Sequence, residues 1–221
     1  MIRKLYCKIS GYTPDSKIET KRLIKFFFDK GFDLIRGFIL FSKMCIFVGK
    51  KTKILSRKKI SFGKWLNISH HVFLDGLSQD GIILGNRVSI GCYTRIECTG
   101  SFSNLGKGFK CGNNCGLGTN CFYGAAGGIE IGDDVIVGNF VTMHSENHNF
   151  NDLSIPIRLQ GVNHKGIKIG NNCWIGAKAT ILDGSIIGNG CVIAAGALVR
   201  GEFPDNVVIG GVPARILKER K

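Results

Sequence analysis

From Ile169 to Val199 an aliphatic β-branched residue returns at every sixth position: Ile169, Ile175, Ile181, Ile187, Ile193 and Val199. Glycine or alanine usually follows, as at Gly170, Gly176, Gly188 and Ala194. Small residues also stand four places after each aliphatic one, at Cys173, Ala179, Ser185, Cys191 and Ala197. A six-residue period matches neither an α-helix nor a two-faced strand, but it matches a three-sided prism in which each side is one short strand and a turn. The bulky residue fills the interior and the small one lets the corner close. The run therefore predicts an all-β, left-handed parallel β-helix, a solenoid stabilised coil by coil.

The same period can be followed upstream. Phe62, Ile68 and Leu74 are six apart, then Leu84, Ile90 and Ile96, then Leu105, Cys111, Leu117 and Tyr123, then Ile131, Val137 and Met143, with two to four extra residues between groups. These positions make nineteen hexapeptides, about six three-sided coils. One interruption is of another size. Between Met143 and Ile169 the step is 26 residues, so a segment near 144–165 must leave the prism as a loop. Long loops in regular solenoids are commonly functional, and this one opens Met-His-Ser-Glu-Asn-His, a dense set of titratable groups. His148, with His144 and Glu146 beside it, is the candidate chemical centre.

Charge is unevenly placed. Residues 1–59 hold sixteen Lys and Arg against four Asp and Glu, a net +12 of the chain's +14. Ser16 to Glu19 reads as a capping box opening a helix, followed by Ile24, Phe27, Phe28, Leu34, Ile35, Phe38 and Phe41 at three- and four-residue steps, with Gly31 and Gly37 as points where it could divide. Two roles are open to this segment: a cap on the first coil, or a basic amphipathic helix lying on an anionic membrane through residues 16–59. Its densest apolar stretch, Phe38 to Val48, is too short and too charged to span a bilayer. The expected organisation is a basic helical segment and charged connector over 1–59, the β-helix over 60–215, and a short basic tail over 216–221, read as a short helix. The basic residues are interleaved with core-type Phe and Ile and carry no nucleic-acid-binding motif, so no nucleic-acid partner is expected.

Nine cysteines occur without a signal-peptide pattern, and Cys111, Cys115, Cys121, Cys173 and Cys191 fall where small apolar residues are wanted. We expect reduced packing thiols in a cytoplasmic protein. A zinc site would need ligands at other spacings, and a β-helix carbonic anhydrase would need three histidines converging from different coils; none stands between Val72 and Met143. No metal is expected.

Three linked features resemble the hexapeptide-repeat acyltransferases, in the branch of galactoside and maltose O-acetyltransferases and the sugar O-acetyltransferases of capsule, O-antigen and exopolysaccharide synthesis. They are His148 in the loop, Asn172-Cys173-Trp174-Ile175-Gly176-Ala177, and Ala195-Gly196 followed by Gly211-Val212-Pro213-Ala214-Arg215, and the resemblance covers about Leu105 to Lys218. It implies a homotrimer with active sites between subunits, acetyl-CoA as acyl donor, a saccharide acceptor and His148 as the catalytic histidine. It further implies Asn120 and Trp174 at the acceptor, Ala177, Ala195, Arg200, Arg215 and Lys218 along the acetyl-CoA groove, and supporting places for Glu146 and His144. The chain departs from the pattern at Gly118, where galactoside-type enzymes carry an asparagine that contacts the acceptor, and at Gly201, often a lysine in related enzymes. The first departure favours another sugar. An imidazole suits removal of a proton from a sugar hydroxyl near neutral pH, and direct transfer requires no nucleophilic serine or cysteine. The other readings are N-acyl transfer to an amino-sugar nucleotide and a solenoid without enzymatic activity.

Overall fold

The computed structural model describes residues 2–10 and 12–221. Parallel strands stack into three sheets that form the sides of a prism. The first sheet runs from Ile46–Val48 to Val207–Gly211, the second from Lys53–Leu55 to Leu198–Val199, and the third from Ile60–Phe62 to Glu202–Phe203. Register follows the six-residue period. Val137 pairs with Ile175 and Ile175 with Ile193, while Met143 pairs with Ile181 and Ile181 with Val199. All of these side chains are buried, so like apolar residues stack in columns down the axis.

The small residues after each column do more than leave room. The Cys173 thiol approaches the carbonyls of Asn171 and Gly188 at 3.4 and 3.2 Å, and the Ser185 hydroxyl donates to Leu182 and Val199. The bonds to Gly188 and Val199 reach the next coil. Another corner carries a ladder of side-chain carbonyls. The Asn113 N–H donates to Asp133 Oδ1 at 2.6 Å, Asp133 N–H to Asn171 Oδ1 at 2.7 Å, Asn171 N–H to Asn189 Oδ1 at 2.8 Å and Asn189 N–H to Asp205 Oδ1 at 2.7 Å. Each rung satisfies a backbone donor at the tight turn where no strand partner is available.

Burial holds the Cys98 and Cys173 thiols neutral. It pushes Cys98 up to about 12 and Cys173 to about 11 from the ordinary 9.0. A thiol whose pKa is raised by folding favours the folded state below its unfolded value, and that contribution is lost as pH rises through the folded value. Stability should therefore decline from pH 9 upward, read as a falling urea midpoint. At pH 8 iodoacetamide should alkylate the part-exposed Cys7, Cys45 and Cys92 in the folded protein, and the six buried cysteines only after denaturation. Native-state alkylation of Cys98 at the rate of Cys45 would contradict this packing.

Several expectations are corrected. The prism begins at Ile46 instead of Phe62: the strand Ile46–Val48 pairs with Leu66–Ile68, and Lys53–Leu55 pairs with Phe73–Asp75. What read as a charged connector is the first coil, its lysines on outer faces and corners. The sheets make seven complete coils and the first side of an eighth, against the six expected. Leu105 lies outside the prism and is exposed, because residues between Ile96 and Phe109 form a second excursion with a turn closed by Ser101 and Asn104. The tail is a strand, Ala214–Glu219, antiparallel to Val207–Gly211, instead of a helix.

At the N-terminus, α1 (Ile2–Ser10), which the sequence pattern did not show, packs beside α2 (Thr20–Phe41). No capping box forms. Glu19 is the N-cap without a side-chain bond, and Asp15 Oδ1 instead accepts from the Lys17 N–H at 2.8 Å, a local turn that competes with the cap. Neither glycine divides α2. Gly37 sits against the first coil, where a Cβ would collide with the Ile46 carbonyl. No helix among the described residues is long and apolar enough to cross a membrane.

Candidate active site

The loop leaves the prism after the strand Thr142–His144 and returns at Ile167–Ile169. Its first turn is fixed by buried Ser145, whose hydroxyl donates to the Gly124 carbonyl at 2.8 Å and accepts from the Gly127 N–H at 3.0 Å. Its two limbs pair as an antiparallel ladder, Asn147 opposite Asn163 and His148 opposite Val162. The Asn149 N–H continues the ladder to the Gly161 carbonyl at 3.0 Å.

A single carboxylate ties both limbs to the coil beneath. Asp183, 6% exposed, accepts from the Lys165 and Gly166 N–H groups through Oδ1 at 2.8 and 2.7 Å, and from Asn147 Nδ2 through Oδ2 at 3.0 Å. Side chains alternate sides along an extended segment, so Asn147 turning inward to Asp183 places Glu146 and His148 together on the other side. His148 is exposed there, on a backbone held by neighbours on both flanks. The sequence pattern singles out His148 and does not single out Asp183. The signal available was an aspartate directly after the apolar Leu182, the only acidic residue between Asp152 and Glu202.

Beside the base of the loop lies a cleft of about 160 Å³, lined among others by Glu97, Thr99, Phe122, His144 and Glu146. The His144 ring rests 5.6 Å from that of Phe122, and Arg95 pairs with Glu97 at 2.6 Å. The second excursion supplies the far wall through Thr99 and Gly100, and a Cβ on Gly100 would stand 3.7 Å from Glu146. Carboxylates, imidazole and an aromatic face are the groups that hold a polyhydroxylated ring. His144 and Glu146 are thus brought to one cleft.

The remaining expected residues lie elsewhere in the chain. Asn120 (φ 55°) occupies the corner between the first and second sheets. Ala177 and Ala195 stack along that edge, where the Gly196 N–H donates to the Ala177 carbonyl at 2.9 Å. Trp174 projects from the first sheet beside Ile136 and Val192 and is 55% exposed. Arg215 and Lys218 lie on the tail strand opposite Gly210 and Val208 at the end of the same sheet. Arg200 follows the strand Leu198–Val199 at another corner. One chain therefore carries the alanines, the tail cations and Trp174 along the first sheet and its edge, and carries His148 across the second sheet from them. Among the described residues no three His, Cys, Asp or Glu side chains are grouped so as to hold a metal ion.

Two repeat descriptions match these coils: the bacterial transferase hexapeptide (six repeats) over residues 166–201, and the hexapeptide repeat of succinyl-transferase over 110–142. The chain is 39% identical over 93 residues to Probable acetyltransferase Rv3034c of Mycobacterium tuberculosis, an alignment covering 42% of this chain and 31% of that protein. It is 36% identical over 98 residues to Escherichia coli WbbJ, named for lipopolysaccharide biosynthesis O-acetyl transfer (41% and 50% covered), and 38% identical over 92 residues to Escherichia coli galactoside O-acetyltransferase (41% and 44%). The chain thus spans half or less of the length of these three relatives. Among solved structures, Bacillus cereus AntD, an N-acyltransferase in complex with dTDP-4-amino-4,6-dideoxyglucose and Coenzyme A, superposes with a TM-score of 0.55 at 21% identity, covering 80% of this chain and 81% of AntD. That likeness concerns the fold. The repeat matches and the three-sided coils show the left-handed β-helix of hexapeptide repeats, and the relatives that share it over less than half of this chain are named as acetyltransferases.

Proposed function

We propose that the protein is an acetyl-CoA-dependent O-acetyltransferase acting on a sugar hydroxyl in bacterial surface polysaccharide synthesis, with His148 as general base. The observation that carries this reading is the clamped hairpin, which holds an exposed imidazole two residues beyond Glu146, itself part of the cleft wall with Glu97, Phe122 and His144. Acetyl-CoA supplies the acetyl group as an activated thioester. His148 accepts the hydroxyl proton as the sugar oxygen bonds to the acetyl carbon, and the proton passes to the departing CoA sulfur as the carbon–sulfur bond breaks. A backbone N–H near the reacting carbon would stabilise the oxyanion. The alanine-lined edge fits the donor, since a Cβ on Gly196 would meet nothing within 4 Å and a pantetheine arm can approach the main chain there. Exposed Arg215 and Lys218 suit its phosphates, with Arg200 a further cation at its own corner.

Because the donor edge and the histidine hairpin lie on different edges of one prism, we infer a homotrimer in which one subunit's hairpin faces another's donor edge. Asn120 and Trp174 would meet the acceptor across that boundary. Apolar side chains at the loop tip, among them Leu153 and Leu159, are exposed in the single chain and suit such a contact. Location on the cytoplasmic side of a membrane, with a lipid-linked glycan as acceptor, completes this reading and gives the basic segment over residues 16–59 a role. The two carboxylates in the cleft also favour a cationic acceptor, so N-acyl transfer to an amino-sugar nucleotide is the second reading. A screen of acetyl-CoA with neutral sugars, amino-sugar nucleotides and lipid-linked glycans should give transfer to a hydroxyl acceptor from a protein sedimenting as a trimer. Product bearing only amide-linked acetyl would select the second reading, and absence of CoA binding would remove both.

A further inference from the structure

Helix α2 has apolar residues on two opposite sides, and the prism covers only one of them. Toward the prism, Gly37 meets the Ile46 carbonyl, the Phe41 ring stands edge-on to Phe62 at 4.8 Å, and Arg36 Nε donates to the Val48 carbonyl at 2.8 Å. On the far side Phe28, Phe32, Ile35 and Ile39 are 66, 59, 56 and 71% exposed. At about 100° per residue these four fall within a stripe about 60° wide, directly opposite Gly37. Helix α1 covers one margin, where Tyr6 meets Phe26 and Phe27, and leaves an apolar groove of about 350 Å³ lined by Ile2, Ile24 and Phe28.

Charge identifies what covers this face. It belongs to the segment with sixteen Lys and Arg against four acidic residues, and the exposed pairs Lys21–Glu19 and Lys25–Asp29 already use two of the four acids. A second copy laid on the stripe would bring another strongly cationic segment against it, and like charges oppose that contact. An anionic lipid surface supplies the opposite charge together with an apolar layer a few side chains deep. We propose that the outward stripe of α2, with the α1–α2 groove, docks onto an anionic phospholipid bilayer, the helix lying in the boundary between headgroups and acyl chains. The cap and the membrane contact are then opposite faces of one helix. This deepens the reading of a membrane-presented acceptor, yet it is read from lipid partition and not from acetyl transfer, so either can fail without the other.

The test is co-sedimentation of the full chain with vesicles of phosphatidylglycerol and phosphatidylcholine, against phosphatidylcholine alone. Binding to the anionic vesicles is expected, with release as salt is raised. Phe28→Glu combined with Ile35→Glu should lower the bound-to-free ratio about tenfold or more, and Ile39→Glu alone should move it in the same direction. Both variants should keep the native mass by light scattering and unchanged acetyl transfer to a soluble acceptor. Failure of the full chain to bind anionic vesicles would overturn the proposal, as would undiminished binding by folded variants. A lower mass in the double variant would show that a second copy covers the stripe instead.

Discussion

Replacing His148 with alanine should lower kcat for acetyl transfer by about 10²–10⁴-fold while leaving the oligomer and the melting temperature unchanged. The expectation of normal stability rests on exposure: the imidazole is on the outside of the hairpin, and the ladder it belongs to is made by backbone groups and by Asn147, Asn149 and Asn163. Binding of acetyl-CoA, followed by calorimetry, should survive, because the alanine edge and the tail cations, and not the imidazole, hold the donor in the proposed reading. An active alanine variant would remove His148 from the mechanism. His144→Ala separates the neighbouring imidazole: its ring rests on Phe122 in the cleft, so it should raise KM for the acceptor more than it lowers kcat.

A second large effect is expected at a residue that touches no reactant. Asp183→Ala leaves the Lys165 and Gly166 N–H groups without their acceptor and releases Asn147, which should cost about 1–3 kcal/mol in chemical denaturation. It should also lower kcat by about tenfold to a hundredfold, since a shift of the order of an ångström at a reacting group carries a penalty of that size. KM for acetyl-CoA should stay unchanged, which distinguishes a positioning residue from general loss of structure. Asp183→Asn keeps an acceptor for the two N–H groups but sets an amide against the Asn147 amide. Exchanging the pair, Asp183→Asn with Asn147→Asp, restores a donor facing an acceptor and should recover most of kcat. If the exchange is no better than the single variant, the carboxylate does not act through Asn147.

The prism was legible because interior positions tolerate only apolar side chains, so Ile169 to Val199 announces itself without reference to the rest of the chain. The same rule holds at Val48, Ile54 and Ile60, also six apart, yet the first coil was hidden because its outward and corner positions carry Lys50, Lys51 and Lys53. A column of interior residues says nothing about what its corners may carry. Leu105 misled for the opposite reason: an apolar residue nine places after Ile96 imitated a repeat with a small insertion, whereas Ser101 to Asn104 close a turn of their own. The loop that carries His148 was legible from an interruption in the period. Asp183 was not, because its importance lies in which limbs fold back above it, a relation between residues 36 and 18 positions apart.

The arrangement at the two ends of the stack decides how long the solenoid can become. An open edge of a parallel β-helix offers rows of unpaired N–H and C=O groups on which another chain could continue the same pattern. Here α2 lies across the Ile46–Val48 edge, and Ala214–Glu219 runs backward along Val207–Gly211, so the first sheet is closed at both ends. On the first sheet, head-to-tail growth of one molecule on another is therefore opposed by the covalent chain itself.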